Sequence, residues 1–293
     1  MKDTRPPHLD RAAIRRNADR ASARYDDSAV LAARLRDELA RRLDWISFVP
    51  GTVLDLGCGT GHGAAALAAR WPRARVIALD ASPGMLAQAA RRDAGSRIER
   101  LCAVAEAIPL PDASIDLVYS NLMLPWCEDI DAVFAEIARV LAPQGLVTFT
   151  TLGPDTLVEL RSAWRTAGGG DALHPFTDMH DLGDGLVRAG LAEPVLDVSR
   201  FTLTYTDVAA VLRDLRATGS QNAVTERTRG LTGRGRLRAL QSAYEEFREA
   251  GVLPASYEVV FGQAWGALPH SGRDDEFAVP VSEISRRGAS RDG

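Results

Sequence analysis

The sequence predicts an α/β fold built around a doubly wound, mainly parallel sheet. Three observations carry that prediction. Between Thr52 and Thr151, short apolar runs alternate with segments of helical period. The first of those runs ends in a glycine-rich turn. The chain has 293 residues, 46% of them hydrophobic and 25% charged, enough to bury a large core without a metal or disulfide staple. Strands that alternate with helices pair in parallel through right-handed crossovers, which puts the ligand crevice at the carboxyl ends of the strands.

The elements follow in order. Residues 1–9 read as an arm with two prolines. From Asp10 to about Arg42 the period is helical, with Ala13, Ala18, Ala21 and Tyr25 on one stripe and Val30, Leu31, Leu35 and Leu39 on the next. Arg11, Arg15, Arg16, Arg20 and Arg24 make the first part basic. Pro50 and Gly51 form a turn. Strands are expected at Thr52–Leu56, Arg75–Leu79, Ile98–Cys102, Ile115–Tyr119 and Leu146–Thr151. Helices are expected between them at Ala64–Arg70, Pro83–Arg92 and Ile130–Leu141, the last closed by Pro143–Gly145. Beyond Thr151, helices are expected at Thr156–Thr166, Asp178–Ala189, Asp207–Leu215 and Arg236–Ala250, and strands at Val195–Tyr205 and Tyr257–Phe261. The polar, glycine-rich tail Leu268–Gly293 is expected to be poorly ordered. The chain thus divides into an N-terminal arm with basic helices (1–42), a central domain (43–266) and a tail (267–293).

Charge and composition exclude several classes. With 35 basic and 39 acidic residues the net charge is −4, against a general nucleic-acid binder. No run approaches the roughly 18 apolar residues of a membrane span. The start, Met1–Pro7, has a basic residue but no apolar core after it, so no secretory signal is expected. The cysteines, Cys58, Cys102 and Cys127, are odd in number and form no CxxC pair, so they read as free thiols in a reducing cytoplasm, with no zinc site. Lys2 is the sole lysine, so the positive charge is nearly all arginine.

The strongest signal is the stretch Val53–Gly63. Its glycines let the backbone turn sharply and approach a ligand, and the helix that follows offers free N–H groups. A dinucleotide fingerprint is matched only by Gly59, Gly61 and Ala64, while the set starting at Gly57 fails at His62. Asp55 separates the ligands. A carboxylate at the strand end, under the turn, repels a pyrophosphate and suits the ammonium and sulfonium of S-adenosylmethionine. Asp80 ends the second strand, 19 residues past Gly61, where a carboxylate can accept from both ribose hydroxyls. Ser82–Met85 opens the next helix, Ala105–Pro109 follows the third strand near the adenine, and Asp116–Asn121 ends at the crevice.

Together these pieces resemble the class I S-adenosylmethionine-dependent methyltransferases, over roughly Val53–Thr151. The resemblance implies a Rossmann-like sheet of seven strands with one antiparallel, Tyr257–Phe261 being a late strand of it. It also implies helical insertions after strands five and six, and helical additions at the N-terminus and in the C-terminal half that form a lid. The cofactor residues it implies are Asp55, Gly57, Gly59, Gly61, Asp80, Ala81, Met85, Ala105, Glu106 and Asn121. One departure is Val104, where many relatives carry an acid that bonds the adenine amine. Adenine recognition then falls to the backbone around Ala105 and to Glu106.

The flanks extend the resemblance. Asp19–Asp26, Ser120–Asp129, Phe149–Leu160, His174–Leu182, Leu231–Arg234 and Tyr257–Gly262 look like the carboxyl methyltransferases of biotin synthesis, which esterify a malonyl thioester on an acyl-carrier protein. Coenzyme A presents the same arm. That chemistry agrees with the residues. A carboxylate is already ionised at neutral pH, so nothing need be deprotonated and no general base or metal is called for. His174 and His180 are the candidate bases should the acceptor be an amine or alcohol. A carboxylate acceptor does need a cationic partner. Arg20 or Arg24 is the candidate, with Tyr25 over the methionine end, Trp126 walling the acceptor pocket and Asn121 at the crevice. An acidic carrier calls for a basic surface, and Arg227, Arg229, Arg234, Arg236 and Arg238 supply one with no acid between them. A monomer is expected, with neither nucleic acid nor membrane as partner. The rival readings are an arginine hydroxylase on a methyltransferase fold, similar to the complex I assembly factor, a methyltransferase for another small acceptor, and a nucleoside-binding module without turnover.

Overall fold

The computed structural model describes residues 8–93, 95, 97–169, 173–225 and 233–267. The tail expected to be disordered, 268–293, lies outside them, as do Arg227 and Arg229.

Seven strands form one sheet: β1 (Thr52–Leu56), β2 (Arg75–Asp80), β3 (Ile98–Cys102), β4 (Ile115–Asn121), β5 (Leu141–Leu152), β6 (Ala192–Tyr205) and β7 (Leu253–Trp265). Their order is β3-β2-β1-β4-β5-β7-β6. β1 to β5 pair in parallel, and β7 runs antiparallel to both β5 and β6. The inner strands are buried on both faces, which is why Val53–Leu56 and Val76–Leu79 read as continuous apolar runs rather than alternating ones. One face packs against α3 (Val30–Arg42), α4 (His62–Arg70), α7 (Val158–Thr166) and α10 (Arg234–Glu245), through Leu35, Leu67, Leu160 and Tyr244. The other packs against α6 (Ile130–Val140) and α8 (Met179–Arg188), through Phe134, Ile137, Leu182 and Leu186.

The helical stretch expected from Asp10 to Arg42 is three helices: α1 (Arg11–Ala21), α2 (Tyr25–Ser28) and α3. Asp10 caps α1, its carboxylate accepting from the Ala13 N–H at 2.9 Å. The strand expected at Leu146 starts earlier, because Leu141 already pairs with Ile115 and Pro143–Gly145 is a bulge inside the strand, with Gln144 in the left-handed region at φ 63°. β7 is far longer than the five residues Tyr257–Phe261, and α10 ends at Glu245 instead of Ala250. An antiparallel bridge between Leu9 and Val224 ties the start of α1 to the segment after α9 (Val208–Ala217).

Candidate active site

The carboxyl ends of β1, β2, β4 and β5 open into a cavity of about 600 Å³, covered by α1, α2, the start of α3 and the end of α9. The glycine turn forms its floor. Gly59 sits at φ +54°, and a Cβ there would meet no protein atom within 4 Å, so its exposed side is a cradle open to a ligand. Gly61 serves packing: at φ +83°, a Cβ would strike Ala89 of α5 (Pro83–Arg92) at 2.7 Å, and the residue does not line the cavity. Gly57 lines it, pressed against Met123.

Asp55 lies beneath this turn, 2% exposed and off the cavity lining. Burial lifts its pKa from 3.8 to about 7, against the pull of the Ala64 N–H and with Asp80 adding to the rise. Its Oδ2 is buried with no hydrogen-bond partner in the protein. That oxygen stands against Gly63 at the start of α4, so the carboxylate acts on the cavity through its charge rather than by lining it. Asp80 reaches the cavity at the end of β2. One oxygen accepts from the Gly59 N–H at 2.9 Å and the other from the Ser82 N–H at 2.8 Å. Those bonds hold the carboxylate still and leave lone pairs for further donors. Burial nevertheless pushes its pKa up. Ala81, Met85, Val104, Ala105 and Glu106 continue the wall around it.

Glu106 pairs with Arg11 of α1 at 3.0 Å, and Arg11 also bonds Glu128 at 3.0 Å. Asn121 is held by the protein as well. Its amide donates to the Ala32 carbonyl at 2.9 Å and accepts from the Thr150 hydroxyl at 2.7 Å, so it fastens α3 to the sheet ends. Tyr25 lines the cavity with its phenol pushed up to about 12, by burial first and then by Asp80 and Asp26. It is therefore a neutral donor at physiological pH.

Beyond Asn121 the wall turns apolar, with Leu122, Met123, Trp126, Leu173 and Phe176. Trp126 meets His174 edge-on at 5.2 Å between centroids. His174 is 3% exposed, and burial and the nearby Arg161 lower its pKa. Its Nε2 lies 2.8 Å from the Pro125 carbonyl, which makes Nε2 the protonated nitrogen and leaves Nδ1 a buried acceptor without a partner. His180 is elsewhere, exposed and paired with Asp178.

The candidate acceptor arginines stand away from the cavity. Arg20 and Arg24 are exposed and do not line the cavity. The arginines that line it are Arg11 and Arg15 of α1, both of which also reach solvent. Asp19 sets the docking by accepting from the Ser82 hydroxyl at 2.6 Å and the Gly84 N–H at 2.9 Å, so that it sits on the positive N-terminus of α5. The sequence reading also missed Asp26, which bonds Thr60 of the glycine turn. A short acidic pair, Asp26 and Asp27, next to Tyr25 was the available signal. Arg234, Arg236 and Arg238 are exposed at the start of α10 and pair with no acid among the described residues.

Comparison with known proteins follows the same lines. Residues 54–149 match the family model described as a methyltransferase domain. The chain is 50% identical over 266 residues to the malonyl-[acyl-carrier protein] O-methyltransferase of Methylovorus sp. (strain MP688), with 88% of this chain and 89% of that one covered. It is 47% identical over 279 residues to the enzyme of the same name from Laribacter hongkongensis (strain HLHK9), with 92% and 94% covered. Among solved structures, the phosphoethanolamine N-methyltransferase 2 of Haemonchus contortus, in complex with S-adenosylhomocysteine, superposes with a TM-score of 0.53 at 16% identity, over 87% of this chain and 60% of that one. That last likeness is one of fold.

Proposed function

The chain belongs to the malonyl-[acyl-carrier protein] O-methyltransferases, and from that membership we propose that it moves a methyl group from S-adenosylmethionine to the free carboxylate of a malonyl thioester. The methyl ester then enters pimeloyl and biotin synthesis. The observation that carries the cofactor half of this reading is the open cradle at Gly59, which lines the cavity and whose N–H holds the Asp80 carboxylate at its edge. The relatives' names carry the acceptor half, and none of the three rival readings has such support.

When bound, S-adenosylmethionine supplies an electrophilic methyl on a sulfonium. The chain's residues divide the remaining work. Asp80 offers lone pairs to ribose hydroxyls, Asp55 offers negative charge beneath the cationic end, and Ala81, Met85, Ala105 and Glu106 enclose the nucleoside. Tyr25 and Trp126 keep water from the acceptor. Asn121 positions the covering helix. No side chain has to remove a proton, since the acceptor is ionised at neutral pH. Alignment and desolvation alone can supply about 7–11 kcal/mol.

The basic run of α10 supports a carrier partner. Arg234, Arg236 and Arg238 stand at a helix start, where the backbone's positive end disfavours cations, so intrinsic helix stability does not account for them. An acidic carrier would relieve that repulsion, in a salt-dependent way. Free Cys58, Cys102 and Cys127 accord with a reducing compartment, and the proposed setting is a cytoplasmic monomer with no nucleic-acid or membrane partner.

Mass spectrometry of malonyl-carrier protein incubated with the enzyme and S-adenosylmethionine tests the reading. One added methyl, released by mild base, is the expected result. Malonyl-coenzyme A runs beside it, since both present the same arm. An unmodified malonyl group on both substrates, with cofactor binding confirmed, overturns it.

A further inference from the structure

We propose that Arg15 receives the acceptor's free carboxylate. The inference rests on the carboxyl-methylation reading above and names the residue that selects the acceptor.

The argument is one of elimination inside the cavity. Among the described residues, the charged side chains that line it are Arg11, Arg15, Asp80, Glu106 and Asp214, with Arg15 also reaching solvent. Three are acids and repel a carboxylate. Each also has its own partner: Asp80 accepts from Gly59 and Ser82, Glu106 from Arg11, and Asp214 from the Tyr205 hydroxyl at 2.7 Å. Arg11 is a cation, but Glu106 and Glu128 already neutralise it. His174 also lines the cavity, yet its lowered pKa keeps it neutral. Arg15 remains. It follows Arg11 by one helical turn on the same face of α1, and among the described residues it has no ion pair or hydrogen bond. The other lining residues of α1, Ala12, Ile14 and Ala18, offer its guanidinium no polar side chain. A free planar fork of N–H donors matches a carboxylate in two parallel bonds.

A phosphate on the substrate's arm has the same appetite for a guanidinium, so the test separates the two anions. Kinetics are measured for wild type, Arg15→Gln and Arg15→Lys with malonyl-carrier protein and with malonyl-pantetheine, which lacks the phosphate. Binding of acetyl-pantetheine, which lacks the carboxylate, is measured alongside. Arg15→Gln should lower kcat/KM about 50-fold on both malonyl substrates, the usual scale for a lost charge-assisted pair. Arg15→Lys should recover part of that loss. Acetyl-pantetheine and S-adenosylmethionine should bind each variant within about twofold of wild type, which a merely unfolded lid would not allow.

Equal weakening of acetyl- and malonyl-pantetheine overturns the proposal. So does an effect seen with malonyl-carrier protein but absent with malonyl-pantetheine, which would assign Arg15 to the arm's phosphate. Failure of wild type to form the ester on either substrate is a separate outcome. It overturns the reading on which the proposal stands.

Discussion

Asp26 accepts a 2.6 Å hydrogen bond from Thr60 and so ties the covering helix α2 to the glycine turn. Its second oxygen meets Arg92 and, at 3.2 Å, His62. Burial pushes the Asp26 pKa up, but Thr60, His62 and Arg92 outweigh it, and the net shift is downward. The bond therefore joins the roof of the cavity to its floor across a charged, ionised group.

Loosening that tie should speed cofactor exchange. Asp26→Ala is expected to raise the dissociation constant for S-adenosylmethionine about tenfold, which is about 1.4 kcal/mol and the scale of one charge-assisted network. The change should appear mainly in the off-rate, read by stopped-flow fluorescence of Trp126 and its neighbours. An unchanged off-rate would mean that α2 does not gate the cavity.

Asp55 should trade stability for binding. Its folded pKa, about 7, lies above its unfolded value, so the stability it contributes is full below about pH 4 and is lost as pH rises through 7. Asp55→Asn removes that loss, worth about 4 kcal/mol once the pH is well above 7. Its melting temperature should exceed that of wild type by an amount that grows from pH 5 to pH 8, while affinity for S-adenosylmethionine falls. Thermal shift across that range, with and without cofactor, checks both halves.

Two glycines of one turn should fail differently. Gly61→Ala drives a methyl into Ala89 and should lower the melting temperature markedly. Gly59→Ala meets no protein atom, so its cost is the left-handed backbone, about 1–2 kcal/mol, while the methyl occupies the cradle. Paired melting and cofactor titrations should show the first variant losing mainly stability and the second losing mainly affinity.

His174 should mark the acid limit. Its folded pKa is depressed by burial, so it contributes stability above the unfolded value, near 6.5, and that contribution is lost as pH falls through the folded value. Wild type should therefore lose melting temperature below about pH 6.5 more steeply than His174→Phe, which starts lower because the Pro125 carbonyl loses its donor. Parallel slopes for the two proteins would assign the acid limit to other groups.

Much of the sheet was legible because its signals are local. β1, β3 and α5 have the bounds expected from apolar runs, turn glycines and the Ser82-Pro83 helix start. Asp80 reaches the crevice for the same reason, since a strand that stops in a turn presents its last residue there, whereas Asp55, one residue inside β1, is buried off the cavity lining. What escaped was set by contacts distant in sequence. Arg15 rather than Arg20 faces the cavity because Asp19 locks the rotation of α1 against Ser82 and Gly84, more than 60 residues on. Gly61 reads like a ligand residue, and only the approach of α5 shows that it is a packing one. Asn121 likewise ends a strand at the crevice, yet its amide is engaged by Ala32 and Thr150. The length of β7 was hidden because flanking Pro254 and Gly262 mimic strand ends, while β5 and β6 on either side supply the partners that extend it.

The place of β7 in the sheet also orders events at the ribosome. Among the described residues, β6 bonds to no strand except β7, and β7 is the last strand, wedged between β5 and β6. Until residues 253–265 have left the exit tunnel, the nascent chain holds two open edges and one unpaired 14-residue strand. Chaperone demand should therefore peak late in synthesis, and a stop codon placed just before Leu253 should yield aggregate rather than a smaller enzyme.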